Sequence, residues 1–233
     1  LKAIGIEQAL DAGNKGLAVA MQARDHRGQA ICFNSLGVVY YTQGDLETAL
    51  EYYKKSIASR NKINDHEEND KLSQARVILN VAIIYARMGA IDESRGYFEQ
   101  SLQINRDLKN EDGISQCYTN LGILSQQEGK YDEARVHFQS SLRLMQKLGN
   151  VAAAASTLSN IGHVYRAQGY YVKALESYQQ GLQANQTLEN LRGIAHSLES
   201  IASLYFDQKL YDKSKDYYQK SLQAHEKAED RPG

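Results

Sequence analysis

Asn160-Ile161-Gly162-His163-Val164-Tyr165 decides the fold, because its pattern returns through the whole chain. Forty residues earlier stands Asn120-Leu121-Gly122-Ile123-Leu124-Ser125, and forty later Ser200-Ile201-Ala202-Ser203-Leu204-Tyr205. Asn80-Val81-Ala82-Ile83-Ile84-Tyr85 and Ser35-Leu36-Gly37-Val38-Val39-Tyr40 extend the series towards the N-terminus. The small residues at 37, 82, 122, 162 and 202 are spaced by 45, 40, 40 and 40 residues. Four residues after each closing Tyr or Ser comes Gly44, Gly89, Gly129, Gly169 or Lys209. Beyond it lie Ala49, Ser94, Ala134, Ala174 and Ser214, each followed four residues later by Tyr53, Phe98, Phe138, Tyr178 or Tyr218. Five segments held in one register are a structural repeat, not a chance resemblance.

Each element of the pattern has a physical reason. A large apolar residue and an aromatic four apart share one face of a helix. The small residue between them lets a second helix approach closely, and three repeats accept a glycine there at about 1 kcal/mol relative to alanine. The next glycine can take the left-handed conformation that ends a helix and turns the chain. Acidic residues then open the second helix (Asp45 and Glu47, Asp92, Asp132, Asp212), where free amide groups and the helix dipole favour them. In that helix a small residue and an aromatic four apart pack back onto the first. The expectation is an all-α array of antiparallel hairpins.

These residues resemble the tetratricopeptide repeat family, whose signature places Leu-Gly, Tyr, Ala, Phe and Pro at the same relative positions. The resemblance covers essentially the whole chain and implies a right-handed superhelical solenoid. The chain departs from the family in having no Trp and only Pro232 as proline, and in a 40-residue period where about 34 is usual. Without a proline stop the second helix is expected to run on before a polar loop such as Lys109-Asn110-Glu111-Asp112-Gly113. Long repeats of this kind are similar to those of Pins/LGN adaptors, kinesin light chains and bacterial peptide-sensing regulators.

The register divides the chain into 1–28, the second helix of a repeat whose first helix is absent, and repeats over 29–74, 75–114, 115–154, 155–194 and 195–233. Because the sequence begins at Leu1, it reads as a segment of a longer protein. Both ends of the array are expected to expose apolar residues, Leu10 and Leu17 among them, and to favour end-to-end self-association. The five extra residues before the second repeat fall in Asn64-Asp65-His66-Glu67-Glu68-Asn69-Asp70, read as a solvated acidic loop with no metal-loop spacing.

In such an array the first helices line the concave side. Their sixth position holds Ser35, Asn80, Asn120, Asn160 and Ser200. An amide offers both donors and an acceptor, so a row of asparagines can hydrogen-bond the backbone of an extended peptide whatever its sequence. The resemblance implies this use for Asn80, Asn120 and Asn160. Around them lie Arg76 and Arg87, Gln116, His163 and Arg166, then His196 and Glu199. Arginines at such sites commonly pair with carboxylates, either a ligand's or the protein's own. Tyr41 and Phe206 are candidate apolar contacts.

Composition narrows the function classes further. With 42% hydrophobic and 24% charged residues the chain is ordinary for a globular protein, and its net charge of −1 argues against nucleic acid or an acidic membrane as partner. No run approaches the roughly 20 apolar residues that span a bilayer. Cys32 and Cys117 occupy one repeat slot, also filled by Val77, Thr157 and Ser197, so they read as small buried residues in a reducing, cytoplasmic setting. No phosphate loop, catalytic constellation or cofactor motif is found. His163 and His196 sit about two helical turns apart in height, roughly 10 Å, too far to share a metal; a Glu199–His163 hydrogen bond is expected instead. The leading expectation is a non-enzymatic protein-interaction scaffold that binds an extended peptide or a helix of a partner protein in its concave groove. Its alternative is the sensory arm of a signalling kinase, cyclase or transcription regulator whose effector lies outside the segment.

Overall fold

The computed structural model describes residues 2–63 and 67–229, with side chains described from residue 5 onward. Its elements are helices α1 (Lys2–Gln22), α2 (His26–Gln43), α3 (Leu46–Arg60), α4 (Glu68–Arg87), α5 (Ile91–Asp107), α6 (Glu111–Gln127), α7 (Tyr131–Lys147), α8 (Val151–Ala167), α9 (Tyr171–Thr187), α10 (Leu191–Asp207) and α11 (Tyr211–Glu229), with no strand among the described residues. Two compact units divide at Gly113 and Ile114. Within each, successive helices pack against one another as a stack of antiparallel hairpins.

The turns follow from the sequence. Gly44, Gly89, Gly129 and Gly169 all have φ between 74° and 84°, and Lys209 takes the same left-handed conformation at φ 59°. Asp45 caps α3 by accepting from the Thr48 amide, while Asp92, Asp132 and Asp212 lie in the first turns of α5, α7 and α11.

The extra length of the repeat is shared between both helices, where the second helix alone was expected to take it. From α6 to α10 each helix has 17 residues, and three-residue connections complete the 40-residue period. First helices start a turn earlier because Asn150 and Asn190 accept from the amides of Ala153 and Gly193. Glu111, Asp112 and Gly113 are accordingly the opening turn of α6, not loop.

Close approach occurs where the small residues stand. A Cβ placed on Gly37 would lie 2.8 Å from the Tyr53 ring, on Gly122 2.7 Å from Phe138, and on Gly162 2.5 Å from Tyr178. The same aromatics also face the next repeat. Ala49 and Tyr53 of α3 pack with Val77, Val81 and Ile84 of α4; Ala134 and Phe138 of α7 with Ile161 and Val164 of α8; Ala174 and Tyr178 of α9 with Ile201 and Leu204 of α10. A single hairpin therefore leaves its aromatic half covered, and stacking closes the core. Buried serines Ser56, Ser101 and Ser221 donate across their hairpins to the carbonyls of Ala30, Ala75 and Ala195 at 2.7, 2.8 and 3.0 Å.

The acidic segment is not all solvated loop. Asn64, Asp65 and His66 lie outside the described residues, but Glu68 already begins α4, and Asp70 is buried. Arg27 grips both Asp70 oxygens, Nε to Oδ1 at 3.1 Å and the terminal nitrogen to Oδ2 at 2.6 Å, and buried Arg60 lies 3.6 Å from Oδ1. Burial, with Arg76 and Arg27 nearby, lowers the pKa of Arg60, and Asp70 opposes that shift. A carboxylate taken out of water needs such partners, which explains an extra turn at this repeat alone.

Candidate functional site

In the second unit the sixth-position residues stand on α6, α8 and α10. Asn120 is partly buried and donates one amide N–H to the Gln116 carbonyl of its own helix at 2.9 Å. Ser200 makes the equivalent bond to the His196 carbonyl at 3.0 Å. Asn160 is likewise partly buried, and Gln116 is exposed. An asparagine spending one donor on its own helix keeps a second N–H and its oxygen for another partner.

Below this row the polar side chains form a network. His163 Nδ1 meets the Tyr178 hydroxyl at 2.8 Å, with the rings edge to face. Arg166 forks onto Asp207 through Nε (2.5 Å) and a terminal nitrogen (3.0 Å), joining α8 to α10. Arg166 is thus an intramolecular pair. Burial drives the Tyr178 phenol up to about 12, with Arg166 pulling the other way. Burial, and then Arg166, lowers the pKa of His163. The result at neutral pH is a neutral imidazole beside an un-ionised phenol, the opposite of an activated nucleophile.

Glu199 does not reach His163. Its Oε2 lies 3.3 Å from His196 Nδ1 and its Oε1 lies 3.2 Å from His225 Nε2, while His163 Nδ1 meets Tyr178. His225, on α11, is the residue that the sequence reading passed over. A signal for it existed: position 225 falls in the repeat slot of Arg60, Asn105, Met145 and Asn185, all of them buried.

The first unit holds the remaining candidates. Burial raises the pKa of the Tyr53 phenol to about 12, with Asn80 acting against that shift. Asn80, Tyr41, Tyr53 and Ile83 line a cavity of about 60 Å³, room for a water or two. The Arg87 guanidinium lies over the Tyr41 ring at 5.1 Å, and Arg76 is exposed. Val77, Cys117, Thr157 and Ser197 are all buried as their slot requires, while Cys32 is partly exposed.

Apolar exposure occurs in both units. On α10 and α11 an open groove is lined by Phe206, Tyr211, Tyr218 and Leu222, the last 60% exposed. On α1 the exposure falls on Val19 and Met21, whereas Leu10 and Leu17 are only partly exposed. Among the described residues no helix is long and apolar enough to cross a membrane.

Family models described as tetratricopeptide repeat match residues 6–62, 73–147 and 115–187 with one model and residues 194–230 with a second. The chain belongs to the tetratricopeptide repeat family. No curated protein sequence matches it. Among solved structures it is similar to BtubC from P. vanneervenii (TM-score 0.81, 16% identity, 98% of this chain and 94% of that one). It is also similar to a Rap protein complexed with competence and sporulation factor (TM-score 0.73, 19% identity, 87% and 56%). A third is the signal transduction ATPase with a tetratricopeptide repeat sensor from Pyrococcus horikoshii (TM-score 0.73, 17% identity, 84% and 29%). At these identities the likeness is one of fold. The tetratricopeptide repeat fold supports a role as a scaffold for protein–protein interaction.

Proposed function

We propose that this chain binds an extended segment of a partner protein along the first helices of its repeats, through amide groups that recognise peptide backbone. The observation that carries the reading is the recurrence of asparagine at one position of successive first helices, with Asn120 and Asn160 partly exposed in the second unit. Asn80, with Arg76 and Arg87, offers the same chemistry in the first unit. An amide can both donate to and accept from a peptide group, so a row of amides suits recognition of backbone, and neighbouring Gln116 and His163 would add side-chain contacts. The solved Rap protein, complexed with competence and sporulation factor, supports use of this kind of array in capture. No catalytic role is proposed for these residues.

Peptides selected against the wild-type chain from a random display library, measured by fluorescence anisotropy, test the reading. Asn120→Ala with Asn160→Ala removes two amide contacts, each worth about 0.5–1.5 kcal/mol, so affinity falls by roughly 5- to 150-fold. Unchanged affinity in the double variant sinks the asparagine mechanism. The similarity to the repeat sensor of a signal transduction ATPase favours a second reading, in which the captured segment regulates an effector in the same polypeptide. Sequencing the gene beyond these 233 residues separates the two.

A further inference from the structure

One side-chain cluster of the second unit serves neither the core nor the amide row. His196 and Glu199 stand one turn apart on α10, and His225 meets them from α11. The imidazoles lie edge to face at 5.6 Å, and one ligand atom from each of the three side chains falls within 4.8 Å of the others. We propose that His196, Glu199 and His225 form a binding site for a first-row divalent cation of the Zn²⁺ type.

The distances carry the argument. In a tetrahedral zinc site with bonds of about 2.0–2.1 Å, neighbouring donor atoms are about 3.3 Å apart. Glu199 already reaches both imidazoles, through Oε2 to His196 Nδ1 at 3.3 Å and through Oε1 to His225 Nε2 at 3.2 Å. With one oxygen of Glu199 as the ligand, the three donor atoms lie within 4.8 Å of one another and close to about 3.3 Å by side-chain rotation, for which His196, 72% exposed, has room. Two imidazoles with one carboxylate select zinc-like ions over Ca²⁺ or Mg²⁺, which take oxygen ligands. The scaffold beneath is rigid: Ser221, one turn from His225, donates to the carbonyl of Ala195, next to His196, and Ala195, Leu198 and Ala224 are packed between the helices. Exposure of all three ligands leaves the fourth position open to water or to a donor group from a partner.

Isothermal titration of the whole chain with ZnSO₄, paralleled by CoCl₂ absorption, tests the site. The expected result is one ion per monomer, ligand-field bands of near-tetrahedral Co²⁺, and a melting temperature raised by Zn²⁺ but not by Mg²⁺. His196→Ala, Glu199→Gln and His225→Ala should each weaken binding by more than about 100-fold, the upper range for losing a mere supporting group. His137→Ala, outside the cluster, should leave it unchanged. Far-UV circular dichroism without metal shows whether each variant folds, and Glu199→Gln keeps the side-chain shape. Binding that survives His225→Ala or Glu199→Gln, binding that only cross-links two chains in sedimentation, or no saturable binding overturns the proposal.

Discussion

Replacing Gly162 by alanine puts the packing logic of this array to a quantitative test. In an isolated helix the change is favourable, by about 1 kcal/mol. Here the added Cβ would stand 2.5 Å and 2.6 Å from two carbons of the Tyr178 ring and 3.0 Å from a third. Carbon contacts settle at about 3.5–4.0 Å, so ring or helix must move by roughly 1 Å. Tyr178 cannot swing aside: it is fully buried, packed against Ile201 and Leu204, and tied to His163 by its hydroxyl. Overpacking of this kind costs about 1–3 kcal/mol. After the helix-propensity gain, a net loss of about 1–2 kcal/mol remains at the upper end of that range, lowering the melting temperature by roughly 2–8 °C. Gly96→Ala is the matched control. Gly96 also lies within a helix, α5, but nothing stands within 4 Å of its Cβ position, so the full propensity gain should appear as stabilisation. Urea and thermal unfolding followed at 222 nm compare both variants with wild type. Gly162→Ala at or above wild-type stability would refute the close-approach account, as would two variants shifted in the same direction by the same amount.

Two further outcomes are expected. Asp70→Asn leaves Arg60, itself buried, without its counter-charge, and should destabilise the chain by about 3–5 kcal/mol in urea unfolding; a loss below 1 kcal/mol would mean that solvent already compensates the arginine. Alkaline titration followed by phenolate absorbance should show two of the sixteen tyrosines, Tyr53 and Tyr178, ionising late, at about 12. Because their folded-state values are raised, the unfolded chain loses these protons first, and stability should fall as pH rises through the interval from about 10 to about 12. Tyr178→Phe should remove one late phenol and part of that slope.

Periodicity in the sequence determined the helices, the turns and the family. Those features depend on near neighbours: a glycine that must turn left-handed at Gly129, a small residue opposite an aromatic at Gly122 and Phe138, an acid at a helix start. Repeated in phase, such local constraints leave one architecture. Even part of the polar network was legible in the columns. Where the second-helix aromatic is Tyr178 or Tyr218, the ninth position of the same repeat is His163 or Ser203, each bonded to its hydroxyl. Where the aromatic is Phe98 or Phe138, that position is Ile83 or Ile123; the first repeat departs from the rule, with Val38 in the repeat of Tyr53.

Tertiary structure alone decided which distant charges meet. Arg166 finds Asp207 41 residues away, Arg27 finds Asp70 43 away, and Glu199 turns to His225, 26 away, in place of His163. The physical reason is reach. A repeat register fixes where each Cα stands, but a long side chain can address several helices, and the one it meets depends on how neighbouring helices cross and on which partners are already taken. His163 turns Nδ1 to Tyr178, and Glu199 meets His196 and His225.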